Sequence, residues 1–254
     1  MFRNAIVRTP SSSMIHGLTT SAHLGKPNYQ LALNQHQNYI NALAQCNLEI
    51  TVLPPIEQFP DSCFVEDVAV LTETYALLTR PGASSRQGEV KEIESIIHCF
   101  FKHPNRITPP ASLEGGDILQ VGNHFFIGLS NRTNEEGAQQ MMRSLSQQGY
   151  TASIIPLKEF FHLKTGVSYL GENTILVCGE LINHPAFSTL KQIIIDPYEA
   201  YAANCIAVNG TVLIAQGYPK TKKAILDLGY PVIELDMSEF RKIDGGLSCL
   251  SLRF

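Results

Sequence analysis

The sequence predicts an α/β fold of five repeated units arranged radially around a common axis. Three observations predict it. A helix-like apolar stripe, a short apolar strand and a polar or Gly-containing turn recur in that order along the 254 residues. Landmarks in the turns, at Glu66, Glu114, Lys164, Asn204 and Asp244, stand about 40 to 50 residues apart, the range of repeat architectures. The last unit is incomplete: LSCLSLRF runs into the C-terminus, and FRNAIVRT at the N-terminus supplies the strand it lacks. Joining the termini would close a ring and remove the exposed sheet edges.

The elements follow from periodicity. Residues 28–45 carry a helical stripe of Tyr29, Ala32, Leu33, His36, Ile40 and Leu43. Residues 89–101 carry Val90, Ile93, Ile96, Ile97 and Phe100. Residues 134–148 carry Ala138, Met141, Met142 and Leu145, with Thr133 as N-cap, Glu136 three positions on and Gly149 past the end. Residues 221–228 stop at Gly229, and a shorter helix is expected near 185–190. Apolar strands follow at Leu48–Leu53, Arg106–Thr108, Ala152–Leu157, Gln192–Ile195 and Val232–Leu235. Hairpins come after the turns, and the Gly122-Asn123 and Asn209-Gly210 pairs suit two-residue loops.

Composition excludes several classes. Charged residues are 17 % of the chain and apolar ones 44 %, with a net charge of −4, so disorder is not expected. No apolar run approaches the roughly 20 residues of a membrane helix. The N-terminus shows no signal-type apolar segment, and no basic block invites nucleic acid. The six cysteines form no C-x-x-C pair; their scatter through apolar stretches suits reduced thiols in a cytoplasmic protein.

In a radial arrangement the polar turns gather at one end of the axis. Asp61, Glu66, Asp67, Glu114, His162, Asp244 and Cys249 would then share one pocket. Those turns also carry a resemblance. PDSCFVED, LEGGD, FHLKTG and KIDGGLSCLSLRF, with RTP, HLGKP, LPP, TRPGA, YAANCI and AQGYP, resemble the guanidine-modifying enzymes of the pentein superfamily. Within it the chain is most similar to the dimethylarginine dimethylaminohydrolases, along nearly its whole length. The resemblance implies a five-bladed α/β propeller with pseudo-five-fold symmetry, forming a single catalytic domain over residues 1–254. The Glu-Gly-Gly-Asp string is shared with arginine deiminases, which are typically longer.

The implied activity is hydrolysis of N-omega-methylated arginines to L-citrulline plus dimethylamine or methylamine. A guanidinium carbon is a poor electrophile, so a thiolate that divides the reaction into two steps suits it. The resemblance assigns the nucleophile to Cys249, the general acid and base to His162, and the orienting carboxylate to Glu114. Glu66, Asp67 and Asp244 are acceptors for a guanidinium fork. Arg86 and Arg132 face the substrate carboxylate or shape its surroundings. Asp61 and the Leu18 carbonyl hold the α-ammonium group, and Phe64 and Ile243 complete the substrate contacts. The 16–27 stretch reads as a Gly-containing loop that covers the pocket. No metal or organic cofactor is required, although His162 and Cys249 are ligands that stray zinc would block. The partner is a small guanidine molecule; a homodimer is left open by the dimers known among related enzymes. The rival readings are a deiminase acting on unmodified arginine or another guanidine, an inactive binding module, and a metal hydrolase, for which no H-x-x-x-H spacing speaks.

Overall fold

One pairing rule builds every sheet in the computed structural model, which describes residues 1–254. Each of five three-stranded sheets has a central strand that pairs antiparallel with one neighbour and parallel with the other. In four of the sheets the antiparallel partner is reached by a hairpin, and in all five the parallel one is reached by a crossover, as parallel pairing demands. The five repeats expected from the spacing are therefore present as five copies of one sheet motif. The chain divides into two compact units, one of Met1–Val65 with Cys205–Phe254 and one of Glu66–Asn204.

The first unit holds two of the sheets. In one, Asn4–Arg8 lies between Leu252–Arg253, to which it is antiparallel, and Glu49–Leu53, to which it is parallel. The expected pairing of the two chain ends is thus observed. In the other, Thr211–Ala215 lies between Ile206–Val208 and Val232–Leu235. Its hairpin turns at Asn209 and Gly210, both with positive φ (49° and 88°), the backbone a type I′ turn needs.

The second unit holds the other three, centred on Ala76–Leu78, His124–Leu129 and Thr174–Val177. Glu89–Phe100 and Glu135–Ser146 are the helical crossovers of the first two. The third crossover has only the short 3-10 turns Gly179–Leu181 and Pro185–Phe187, where the sequence suggested a helix at 185–190. Phe187 is nevertheless fully buried, packed with Phe126, Leu163, Ile175 and Val177. Met141 and Leu145 of Glu135–Ser146 pack on Phe125 and Ile127. The N-cap of that helix is Asn134, whose side chain accepts the Gly137 amide. Thr133, expected in that role, instead accepts the Glu114 amide at 3.1 Å; its hydroxyl is committed to the turn beside it.

The helix Tyr29–Gln45 buries Ala32, Gln35, His36, Tyr39, Ala42 and Leu43. Two of these are polar groups with partners: Tyr39 Oη lies 2.9 Å from the Leu247 carbonyl and 2.6 Å from Ser251 Oγ, and Gln35 donates to Ser238 Oγ. His36 packs beside Phe240, and its Nε2 has no partner. Burial lowers its pKa from 6.5 to about 4. The unfolded chain therefore takes up this proton before the folded one does. Stability present above pH 6.5 is lost as the pH falls towards 4, by up to about 3 kcal/mol. In His36→Leu the fall in urea midpoint between pH 7 and pH 4.5 should shrink; an unchanged pH slope would contradict this source of acid sensitivity.

Candidate active site

The second unit gathers seven buried ionisable groups from four turns, Asp117 among them. Glu66 and Asp67 lie in the 3-10 turn Val65–Val68. Arg86 ends the 3-10 turn Ser84–Arg86, and Glu89 begins the following helix. Glu114 precedes the 3-10 turn Gly115–Asp117, and His162 caps the short helix Leu163–Gly166. The turns at 65–68, 115–117 and 163–166 each lead directly into the first strand of a sheet, so the repeat sets their common position.

His162 Nε2 lies 2.8 Å from Glu114 Oε2, with both side chains buried. The His162 amide donates to Thr165 Oγ1, which ties the cap to its own helix. Glu114 Oε1 accepts the Ala83 amide at 3.3 Å. Asp67 is held on both oxygens, Oδ1 by the Gly116 amide at 3.0 Å and Oδ2 by Arg86 Nη1 at 2.6 Å. The other edge of the Arg86 guanidinium binds Glu89.

Charge decides the protonation of the imidazole. Burial opposes the cation, but Asp117, Asp67 and Glu114 outweigh it and raise the His162 pKa from 6.5 to about 9. Burial likewise opposes ionisation of Asp67, yet His162 and Arg86 hold its carboxyl below the usual value. The ring is therefore an imidazolium at neutral pH, able to donate a proton and then act as a base.

Two glycines make the close approach feasible. A Cβ on Gly116 would stand 2.4 Å from His162 Nδ1, and one on Gly115 would stand 1.9 Å from the Glu66 carbonyl oxygen. Glu66 itself reaches Lys164 Nζ at 2.5 Å. Arg132 stacks over the Phe161 ring at 4.8 Å, and that ring meets His162 edge-on. Ligand atoms of Asp67, Glu114 and His162 lie within 4.8 Å of one another, a spacing that one cation could span. Arg86 and the imidazolium already supply positive charge there.

The first unit carries the remaining predicted residues. Cys249 lies in the 3-10 turn Ser248–Leu250, part-buried, with its Sγ 3.4 Å from the Gly246 amide. An N–H aimed at sulfur favours the thiolate form. Asp244 has a φ of 57°, costly for a residue with a Cβ. Its carboxylate accepts the Thr20 amide and the Ser21 hydroxyl. Asp61 Oδ1 accepts the Leu18 amide at 3.0 Å. Thr19 donates to the Lys242 carbonyl. The 16–27 stretch is thus fastened at Leu18, Thr19, Thr20 and Ser21. Phe64 packs edge-on to Phe240, and the absent Cβ of Gly245 leaves room for its ring. Ile243 is buried and borders Gly17, whereas Leu18 is exposed.

Sequence reasoning had not singled out Glu89, Asp117 or the ion-pairing role of Lys164. Glu89 shares a helical turn with Arg86, a spacing legible in principle. Asp117 closes the Glu-Gly-Gly-Asp string, but nothing in the string says that its carboxylate points inward.

The chain matches the family described as N,N dimethylarginine dimethylhydrolase, eukaryotic, over residues 19–250. It is 51 % identical to the N(G),N(G)-dimethylarginine dimethylaminohydrolase of Pseudomonas aeruginosa across all of both chains. The chain belongs to the dimethylarginine dimethylaminohydrolase family. The Streptomyces coelicolor dimethylarginine dimethylaminohydrolase is 33 % identical over 99 % of this chain and 96 % of its own. The Pseudomonas dimethylarginine dimethylaminohydrolase has been solved as a cysteine-to-serine variant complexed with citrulline, and it superimposes with a TM-score of 0.99 over all of both chains. A cyanobacterial arginine dihydrolase domain shares the fold at 20 % identity, with a TM-score of 0.90 over 99 % of this chain and 97 % of its own. The α/β fold of five repeated units is that of these solved relatives.

The two glycines should respond differently to substitution. Gly115→Ala drives a methyl to 1.9 Å from the Glu66 carbonyl oxygen, whereas Gly116→Ala drives one to 2.4 Å from the His162 ring. Overpacking costs about 1–3 kcal/mol or more where nothing yields, so Gly115→Ala should lower the urea midpoint further than Gly116→Ala. The reverse order would contradict the packing described.

Proposed function

We propose that this chain hydrolyses N-omega-methylated arginines to L-citrulline, releasing dimethylamine or methylamine, with Cys249, His162 and Glu114 as its catalytic residues. The observation that carries the reading is the buried His162–Glu114 pair, found in a chain of this family. Two solved relatives support it: the cysteine-to-serine variant complexed with citrulline, and a histidine-to-glycine dimethylarginine dimethylaminohydrolase obtained as an adduct with S-methyl-L-thiocitrulline.

The Cys249 thiolate attacks the guanidinium carbon. The bond from that carbon to the substituted nitrogen breaks, and His162 gives its proton to the leaving amine, leaving an S-alkylthiouronium on Cys249. Neutral His162 then takes a proton from water as the oxygen bonds to the same carbon. The carbon–sulfur bond breaks and the thiolate returns, the proton left on the added oxygen passes to solvent, and citrulline departs. Glu114 steadies the ring through both proton transfers. Electrons balance without an oxidant, and no cofactor enters.

Glu66, Asp67 and Asp244 supply carboxylates for recognition of the substrate cation, with Asp67 set by Arg86. Arg132 serves the substrate carboxylate, and Asp61, Leu18, Phe64 and Ile243 line the remainder. The six cysteines form no disulfide, which supports a cytoplasmic setting, and no helix is long and apolar enough to cross a membrane.

Incubation with asymmetric dimethylarginine should yield dimethylamine and citrulline in equal amounts. Faster processing of unmodified arginine by kcat/KM would favour the deiminase reading instead. Cys249→Ser should abolish turnover with the fold intact, and undiminished citrulline formation would reject the nucleophile.

A further inference from the structure

Asp117 is fully buried, and no cation touches it. Nearby, Arg86 is paired with Asp67 and Glu89, and His162 with Glu114. Asp117 instead takes neutral donors. Its Oδ1 accepts the Leu163 amide at 3.0 Å and its Oδ2 the Ser130 hydroxyl at 2.7 Å.

The direction of these bonds fixes the charge. Ser130 Oγ accepts the Arg132 and Thr133 amides, so its own proton goes to Asp117. Thr133 Oγ1 in turn accepts the Glu114 amide. Burial raises the Asp117 pKa, while the nearby His162 charge and the donors on its two oxygens favour the carboxylate.

These two bonds reach three functional segments. Leu163 follows His162 directly, Ser130 holds the Arg132 and Thr133 amides, and Thr133 in turn holds the Glu114 amide. With neutral donors and no cation on its own oxygens, the Asp117 carboxylate acts on the more distant His162 ring.

We propose that Asp117 is a positioning residue of the reaction, a buried carboxylate that locks the segments bearing His162, Glu114 and Arg132 together and whose charge favours the imidazolium. The inference rests on the catalytic role proposed for His162 and extends it to the residue that sets that ring's state. In keeping with the geometry, Asp117 is the group whose charge most strongly raises the His162 pKa.

The test is an imidazole NMR titration of His162 in the full-length Cys249→Ser protein, with and without Asp117→Asn. This readout needs no turnover. The ring should titrate near 9 in the parent and fall by about one unit or more in Asp117→Asn. In the Cys249-containing enzyme, Asp117→Asn should lower kcat about tenfold to a hundredfold with little change in KM. A purely structural aspartate would lower the urea midpoint and leave the ring titration in place, and that result overturns the proposal. If Asp117→Asn does not fold, the carboxyl 13C shift of Asp117 in the Cys249→Ser protein carries the test. A carboxylate shift at pH 7, with an inflection where His162 titrates, supports the proposal; a carboxylic-acid shift overturns it. Full turnover in His162→Gly would sink the parent reading instead, and the ring titration keeps the two failures apart.

Discussion

The hydrogen bond between His162 and Glu114 is the interaction on which the account depends. Placing an imidazolium in a buried turn costs several kcal/mol unless carboxylates surround it. Here one carboxylate contacts the ring and two more stand near it. The surplus of acid over base is what makes the ring a proton donor at neutral pH. Removing an acid would leave a buried cation short of compensation; removing the cation would leave acids repelling one another. Fold stability and proton chemistry are therefore tied in this cluster.

Such crowding is possible because the repeat delivers a turn to the same place in each unit. Four turns of the second unit bring Asp67, Arg86, Glu114 and His162 together although nearly a hundred residues separate the first from the last. The glycines of the Glu-Gly-Gly-Asp string then allow backbone-to-ring distances that a methyl would forbid. In the first unit, Asp244 keeps a left-handed backbone while its carboxylate fastens Thr20 and Ser21. Strain of that kind persists where several bonds hold it.

Periodicity was a good guide where burial is apolar. The helices at 89–101 and 134–148 and the hairpins at 122–123 and 209–210 are present. It was a poorer guide where polar groups are buried. Gln35 and Tyr39 face the core on Tyr29–Gln45, and Ile40 is less buried than either, because their hydrogen bonds are long-range and leave no local trace. Thr133 read as a cap because capping signals are local, whereas its true partner, the Glu114 amide, lies in another turn. The repeated turns pointed to a shared pocket of Asp61, Glu66, Asp67, Glu114, His162, Asp244 and Cys249, but the roles of these residues were legible only through the family resemblance. Geometry adds what the motifs lack: Arg86 is bound by Asp67 and Glu89, and Asp117 faces inward.

The most direct check of the central claim is the pH dependence of kcat/KM for asymmetric dimethylarginine in the unsubstituted enzyme and in Glu114→Gln. His162 is cationic below about 9 and loses its proton as the pH rises through that value. Activity that needs this proton should decline along an alkaline limb near 9, and the limb should move to lower pH in Glu114→Gln. A limb that stays in place when Glu114 is neutralised would contradict the account.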